Sequence, residues 1–315
     1  MRLLIPGIVA GLLCLNFAVS AAAAPFDDGL AAYDRGDYAT ALRVWRPLAE
    51  LGDAAAQSNL GLMYDHGQGV PQDHARAMQW YRMAADQGDA SAQFNLGLQY
   101  DCGGDMPQDY AEAVKWYREA ASQGYPSAQA NLGVMYHDGR GVPQDYAVAM
   151  QWYRKAADQG FALAQFDVAL MYYNGQGVIQ DYGAAMQWYR KAADQGYALA
   201  QFNLALMYYN GQGVPQDYPE AVNWWRKAAG LGFAHAQFDL GVIFARGRGV
   251  PQDYVQAYMW FNLAAASSPV SDAEERSKAI RNRDLVAAQL SPEQIADAQR
   301  IPREWNPHKP KRSLQ

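Results

Sequence analysis

Apolar residues recur along most of this chain in steps of three and four, the spacing that lines up one stripe of an α-helix. Between Asp53 and Gly88, the residues Ala56, Leu60, Gly61 and Tyr64 keep that spacing and predict a first helix over about Ala54 to Tyr64. A polar, glycine-rich stretch follows, Asp65-His66-Gly67-Gln68-Gly69-Val70-Pro71-Gln72. Two glycines there admit left-handed backbone, and Pro71 disfavours helix at Val70. Asp73 is then an N-cap for a second helix over about His74 to Ala85. Its buried stripe is Ala77, Trp80, Tyr81 and Ala84, and Gly88 stops it. In the next copy Asp109 with Glu112 predicts a capping box. Gly61 costs its helix about 1 kcal/mol against Ala. Its expected purpose is close approach of the second helix, and Ala169 and Ala205 at the same position in later copies point to small size as the requirement.

This helical hairpin is written six times with a fixed period of 36 residues, over 53–88, 89–124, 125–160, 161–196, 197–232 and 233–268. A period in that range marks units that bury their apolar faces against their neighbours. The expected class is all-α. Trp80 recurs as Trp116, Trp152, Trp188, Trp224 and Trp260, and a buried Trp removes about 150–250 Å² from water. The ladder therefore reads as core rather than as a stacking platform. The recurrent Asp/Asn-Gly-x-Gly loop lacks the alternating acidic ligands and closing Glu of a calcium loop, so turn and cap chemistry accounts for it.

The phrases A-x-A-Q-x-N/D-L-G-x-x-Y, G-x-G-V-x-Q-D-Y-x-x-A and W-Y/F-R-x-A-A-x-x-G resemble the Sel-one-like repeat (SLR), a relative of the tetratricopeptide repeat. The resemblance covers Asp53 to Ser268. It implies a right-handed α-solenoid whose first helices line a concave groove, and a role in binding other proteins. Residues 25–52 look like a shortened tetratricopeptide-like repeat, with Gly36-Asp37-Tyr38 opening its second helix. A cysteine-rich branch of the family staples each repeat with a disulfide, and some of its members are linked to β-lactam binding or slow hydrolysis. Those cysteine pairs are absent here, and no Ser precedes a Lys by three positions, the nucleophile motif of serine β-lactamases.

After Ser268 the period breaks. Ser271-Asp-Ala-Glu predicts a polar helix over about Asp272 to Ala288. Ser291-Pro-Glu-Gln predicts another, with Gln294 completing its capping box and Ile295, Ala298 and Ile301 on one face. Solenoids need end units with a polar outer side, so residues 269–305 are expected to close the stack and 306–315 to form a basic, disordered tail. At the other end, Arg2, the apolar run Leu3 to Val19 and the small residues Ser20 to Ala24 read as a secretory signal peptide over 1–24, cleaved between Ala21 and Ala24. The mature chain is then expected to be periplasmic or secreted, without a membrane span.

Composition narrows the function classes. With 26 basic and 32 acidic residues the net charge is −6, and no basic stripe interrupts the repeats, which argues against nucleic acid. Removal of the leader leaves Cys102 as a lone thiol, matched elsewhere by His66, Asp138, Asn174, Asn210 and Arg246, and it is read as idle. The histidines, His66, His74, His137, His235 and His308, make no close metal motif. No phosphate loop or nucleophile elbow appears, so no cofactor and no enzymatic activity are expected.

On the tetratricopeptide analogy, four positions of each first helix face the groove. They are small and polar in the first repeats and apolar and aromatic later. The candidate groove residues are Phe94, Leu163, Phe166, Leu170, Tyr173, Leu199, Phe202, Leu206, Tyr209 and Phe238. Apolar patches of this kind mark interaction sites, and Tyr and Phe are favoured anchors. The competing readings of these rings are packing between neighbouring first helices, or recent repeat duplication without selection for binding. The expected protein is a monomeric, exported scaffold for an unidentified protein or peptide. The alternatives are a module for peptidoglycan or another cell-envelope glycan and, more remotely, a β-lactamase-like hydrolase.

Overall fold

The computed structural model describes residues 15–103, 107–269 and 271–304; among them are sixteen helices and no strand. The first fourteen residues of the expected leader and the basic tail lie outside them. The helices α1 (Leu15–Asp34) to α16 (Pro292–Glu304) fall into two compact units, Met1–Gln144 and Asp145–Gln315.

One hairpin shows why this sequence folds as it does. Asp53 Oδ1 accepts the N–H of Ala56 at 2.8 Å and starts α3 (Ala54–His66). Gly67 ends it in left-handed backbone, φ 66°. The loop then folds back so that the Asp73 N–H donates to the Tyr64 carbonyl at 2.9 Å, while Asp73 Oδ1 takes the Arg76 N–H at 2.9 Å and starts α4 (His74–Asp86). Two helix ends are thus satisfied by one loop. The same hydrogen bond corrects one expectation. Glu112 does not complete a capping box, because the Asp109 N–H that it would reach is already given to Tyr100 O at 2.9 Å; Glu112 lies 3.4 Å from Lys115 instead.

Close contact within the hairpin depends on the small residue of its first helix. A Cβ at Gly61 would sit 2.5 Å from the Tyr81 ring, and one at Gly97 would sit 2.5 Å from the Tyr117 ring. Neither glycine has positive φ, so size is the reason for it. The tryptophan ladder is mainly interior. Trp116, Trp188, Trp224 and Trp260 are buried, whereas Trp80 and Trp152 are only partly so. Cations cover the rings: Lys191 Nζ lies 3.7 Å from the Trp188 centroid and Lys227 Nζ 3.4 Å from that of Trp224.

Consecutive hairpins are tied by a buried polar ladder. Gln57, Gln93, Gln129, Gln165, Gln201 and Gln237 are all buried, and each donates its amide to a carbonyl eight residues earlier, in the last turn of the preceding helix. Their Oε1 atoms need donors too. Gln87 supplies one to Gln57 at 2.7 Å, Gln123 to Gln93 at 2.8 Å, and Gln195 to Gln165 at 2.8 Å. The positions that would serve Gln201 and Gln237 hold Leu231 and Ser267, and there the Oε1 atoms are buried without a partner.

In the first unit, α1 and α2 (Tyr38–Glu50) pack around fully buried Trp45, whose Nε1 donates to Phe26 O at 3.2 Å. In the second, α14 (Tyr254–Ser267) is covered by α15 (Ala273–Ala287) and α16. Asp272 caps α15 by accepting the Glu275 N–H at 3.3 Å. The capping box of α16 is complete, with Ser291 N donating to Gln294 Oε1 at 2.9 Å and Gln294 N to Ser291 Oγ at 3.3 Å. Ala298 is buried and Ile295 partly so. Among the described residues no helix is long and apolar enough to cross a membrane.

Candidate binding site

Nine of the ten candidate groove residues belong to the second unit, on α9 (Ala162–Asn174), α11 (Ala198–Asn210) and α13 (Ala234–Arg246). Phe94, on α5 (Ala90–Cys102), belongs to the first, where its ring lies 5.2 Å from Tyr125 and 5.9 Å from Tyr117. No member of the set is buried outright. Leu163 and Leu199 are exposed, at 37% and 39%, and the others are partly buried.

Partial burial reflects a division of each ring between structure and solvent. Phe166 sits 5.6 Å from Tyr189 of α10 (Tyr182–Asp194) and 5.3 Å from Tyr197 at the start of the next repeat. Phe202 makes the equivalent contact with Phe233 at 5.2 Å, and His235 lies 6.1 Å away. Tyr173 lies against Tyr182 at 5.1 Å and donates its hydroxyl to Gln212 Oε1 at 3.1 Å. Tyr209 lies against Tyr218 at 5.1 Å and Trp225 at 5.4 Å, and its hydroxyl accepts from Arg248 Nη1 at 2.7 Å. Phe238 packs on Phe261 at 5.5 Å beneath α15. Packing within and between hairpins therefore uses one side of these rings, mostly against second-helix side chains of the same repeat rather than between neighbouring first helices.

Of these rings, that of Tyr173 also borders a cleft. Leu170, Tyr173, Asn174, Tyr189, Asn203 and Leu206 line a cavity of about 240 Å³. Asn203 hydrogen-bonds the Tyr189 hydroxyl, whose pKa burial nevertheless raises, so the phenol stays neutral. The cleft therefore offers apolar and aromatic walls, the phenol of Tyr173 and two amides, and no charge. That chemistry suits an apolar segment with backbone or amide groups to satisfy. Of the cleft's lining, the sequence reading had named Leu170, Tyr173 and Leu206 as groove candidates but not Asn174, Asn203 and Tyr189. Asn203 stood at the N/D position of the repeat phrase, Asn174 at the start of the glycine loop and Tyr189 in the tyrosine that follows the Trp in four of the six repeats, but only the packing shows that they meet. Among the described residues no group of three His, Cys, Asp or Glu gathers to hold a metal ion. Cys102 is exposed.

The Sel1 repeat family model matches residues 54–89, 90–125, 126–161, 162–197, 198–233 and 234–268. The chain is similar to the crystal structure of a Sel1 repeat protein from Oxalobacter formigenes, with 36% identity, a TM-score of 0.70, and coverage of 76% of this chain and 96% of that one. It is also similar to c5321, a protective antigen of uropathogenic Escherichia coli with an SLR fold, at 28% identity and a TM-score of 0.50, covering 95% of this chain and 89% of that one. No curated protein sequence matches it.

Proposed function

Because the chain belongs to the Sel1 repeat family, an α-solenoid of stacked hairpins, we propose that it is an exported scaffold that holds a partner protein on the first-helix face of its fourth and fifth repeats. Sel1 repeat proteins generally act as protein-interaction scaffolds and are typically non-catalytic. The observation that carries the specific reading is the cleft beneath Tyr173, on the two helices that also carry exposed Leu163 and Leu199. Exposed leucines beside half-exposed aromatic rings and side-chain amides are the composition of a protein-binding patch. Export rests on the apolar leader and its small-residue boundary.

The test is site-specific photocrosslinking in cell-envelope extract. A photoreactive residue replaces Tyr173 or Tyr209, and another replaces Gln187, exposed on the outside of α10, as control. The expected result is one discrete protein caught from the groove positions alone. Equal capture from all three would overturn the groove assignment, and capture of wall fragments alone would favour the glycan-binding alternative.

A further inference from the structure

Two of the groups that line the cleft are only half used. The Tyr189 hydroxyl and the Asn203 amide hydrogen-bond each other, and neither has another such partner among the described residues. A phenol and an amide that share one bond keep at least one donor and one acceptor, whichever way the amide is turned. The equivalent pair two periods earlier is satisfied. There the Tyr117 hydroxyl donates to Asp101 Oδ2 at 3.2 Å, and Asn131 bonds it as well. Tyr173 holds the position of Asp101, so at Tyr189 that acceptor is gone. The rest of the lining does not replace it. Tyr173 gives its hydroxyl to Gln212, Asn174 turns its amide to Gln176, and Leu170 and Leu206 are apolar.

Size and polarity together select the guest group. The cavity's 240 Å³ exceeds the roughly 150 Å³ that holds a benzene and falls short of the roughly 300 Å³ of the smallest drug-sized pockets, so it takes one side chain. It runs from exposed Asn174 inward to buried Tyr189. An apolar side chain would leave donor and acceptor both unpaired, and an indole would leave the donor unpaired. A carboxylate would enter without a counterion, because no charged residue lines the cavity. A hydroxyl would have to serve both groups through one oxygen. A trans peptide amide points its N–H and C=O to opposite sides and cannot reach two adjacent groups. A primary carboxamide carries an N–H beside its C=O and closes on both. We propose that the cleft receives the side-chain carboxamide of a glutamine in the segment bound along the groove. Its two methylenes lie between Leu170 and Leu206, and its amide pairs with Tyr189 and Asn203. This assignment rests on the groove reading above and adds the residue that the partner must carry beside its apolar anchors.

The test is selection from a random dodecapeptide display library on the immobilised full chain. Parallel selections use Asn203→Leu, Tyr189→Phe and the double variant Leu163→Ala with Leu199→Ala, each checked for helical content by circular dichroism. Phe261 already stands at the Tyr189 position in the sixth repeat, and both leucines are exposed, so these changes spare the fold. The parent is expected to select apolar peptides with Gln at one fixed offset. Replacing that Gln by Glu or Met in a synthetic peptide should weaken binding about tenfold or more. Asn203→Leu and Tyr189→Phe should each lose the Gln preference and keep the apolar one. Apolar peptides with no fixed Gln, or a Gln preference that survives either variant, would overturn this proposal and leave the groove reading standing. Peptides indifferent to the double alanine variant, or no selected peptide at all, would overturn both.

Discussion

At the residue scale, the deviations from the repeat phrase say more than the phrase does. Leu231 interrupts a polar ladder, leaves the Gln201 Oε1 buried without a donor, and is itself 48% exposed. Leu231→Gln should restore the hydrogen bond made at Gln87, Gln123 and Gln195 and stabilise the chain by about 1 kcal/mol, measured by chemical denaturation. Gly97→Ala runs the other way. The helix would gain about 1 kcal/mol in propensity, but the new Cβ meets the Tyr117 ring at 2.5 Å, and a net loss of about 1–2 kcal/mol is expected. Asp239 carries a pH signature. Its carboxyl is raised from 3.8 to about 7, so the folded chain holds that proton more tightly than the unfolded one. The associated stability is fully present below about pH 4 and is lost as pH rises to about 7. Melting curves should therefore show Asp239→Asn above the parent at pH 8 and level with it at pH 4. Of this, only the close approach at the helical glycine was legible in the sequence. The buried Gln was visible as a fixed letter, but its acceptor, a carbonyl in the preceding helix, depends on the angle between two helices.

At the element scale, sequence was a better guide, because helix ends are set by local chemistry. Asp73 as cap, Gly67 and Gly69 in left-handed backbone and the box at Ser291 were all readable from spacing. The box expected at Asp109 failed because a tertiary hydrogen bond to Tyr100 competes for the same N–H, which no local pattern reveals. The closing helices also have a testable role. The helix α14 buries Tyr258, Met259, Trp260 and Phe261 in succession, an all-round apolar pattern that tolerates no open side. A chain ending after Ser268 loses α15 and α16, which cover it. Light scattering should show that truncated chain associating, while the full chain scatters as a monomer.

At the scale of the whole molecule, neighbouring hairpins within each unit meet through nearly the same residues, so stability approximates a sum of repeats and interfaces. Deleting 161–196 joins Gly160 to Tyr197, which stands in the place of Phe161. The shortened chain should keep the same helical ellipticity per residue and melt at a lower temperature, with the loss of one interface. The fold class was legible from the period alone. The binding face was legible only in part, because rings such as Phe166 and Tyr209 serve packing and exposure at once, and the share of each is a property of the assembled stack. The near-identity of the fourth and fifth repeats has a further consequence. An extended guest that recognised only Phe166 and Tyr173 would find the same grip at Phe202 and Tyr209, and could dock in two frames offset by one repeat. Two equivalent frames favour binding by only about 0.4 kcal/mol and leave the guest's ends undefined. His137 and Ala245 stand at the positions of Tyr173 and Tyr209 in the repeats before and after, so a guest that needs two consecutive aromatic grips is held to a single frame, and the solenoid reads where along its length the guest begins.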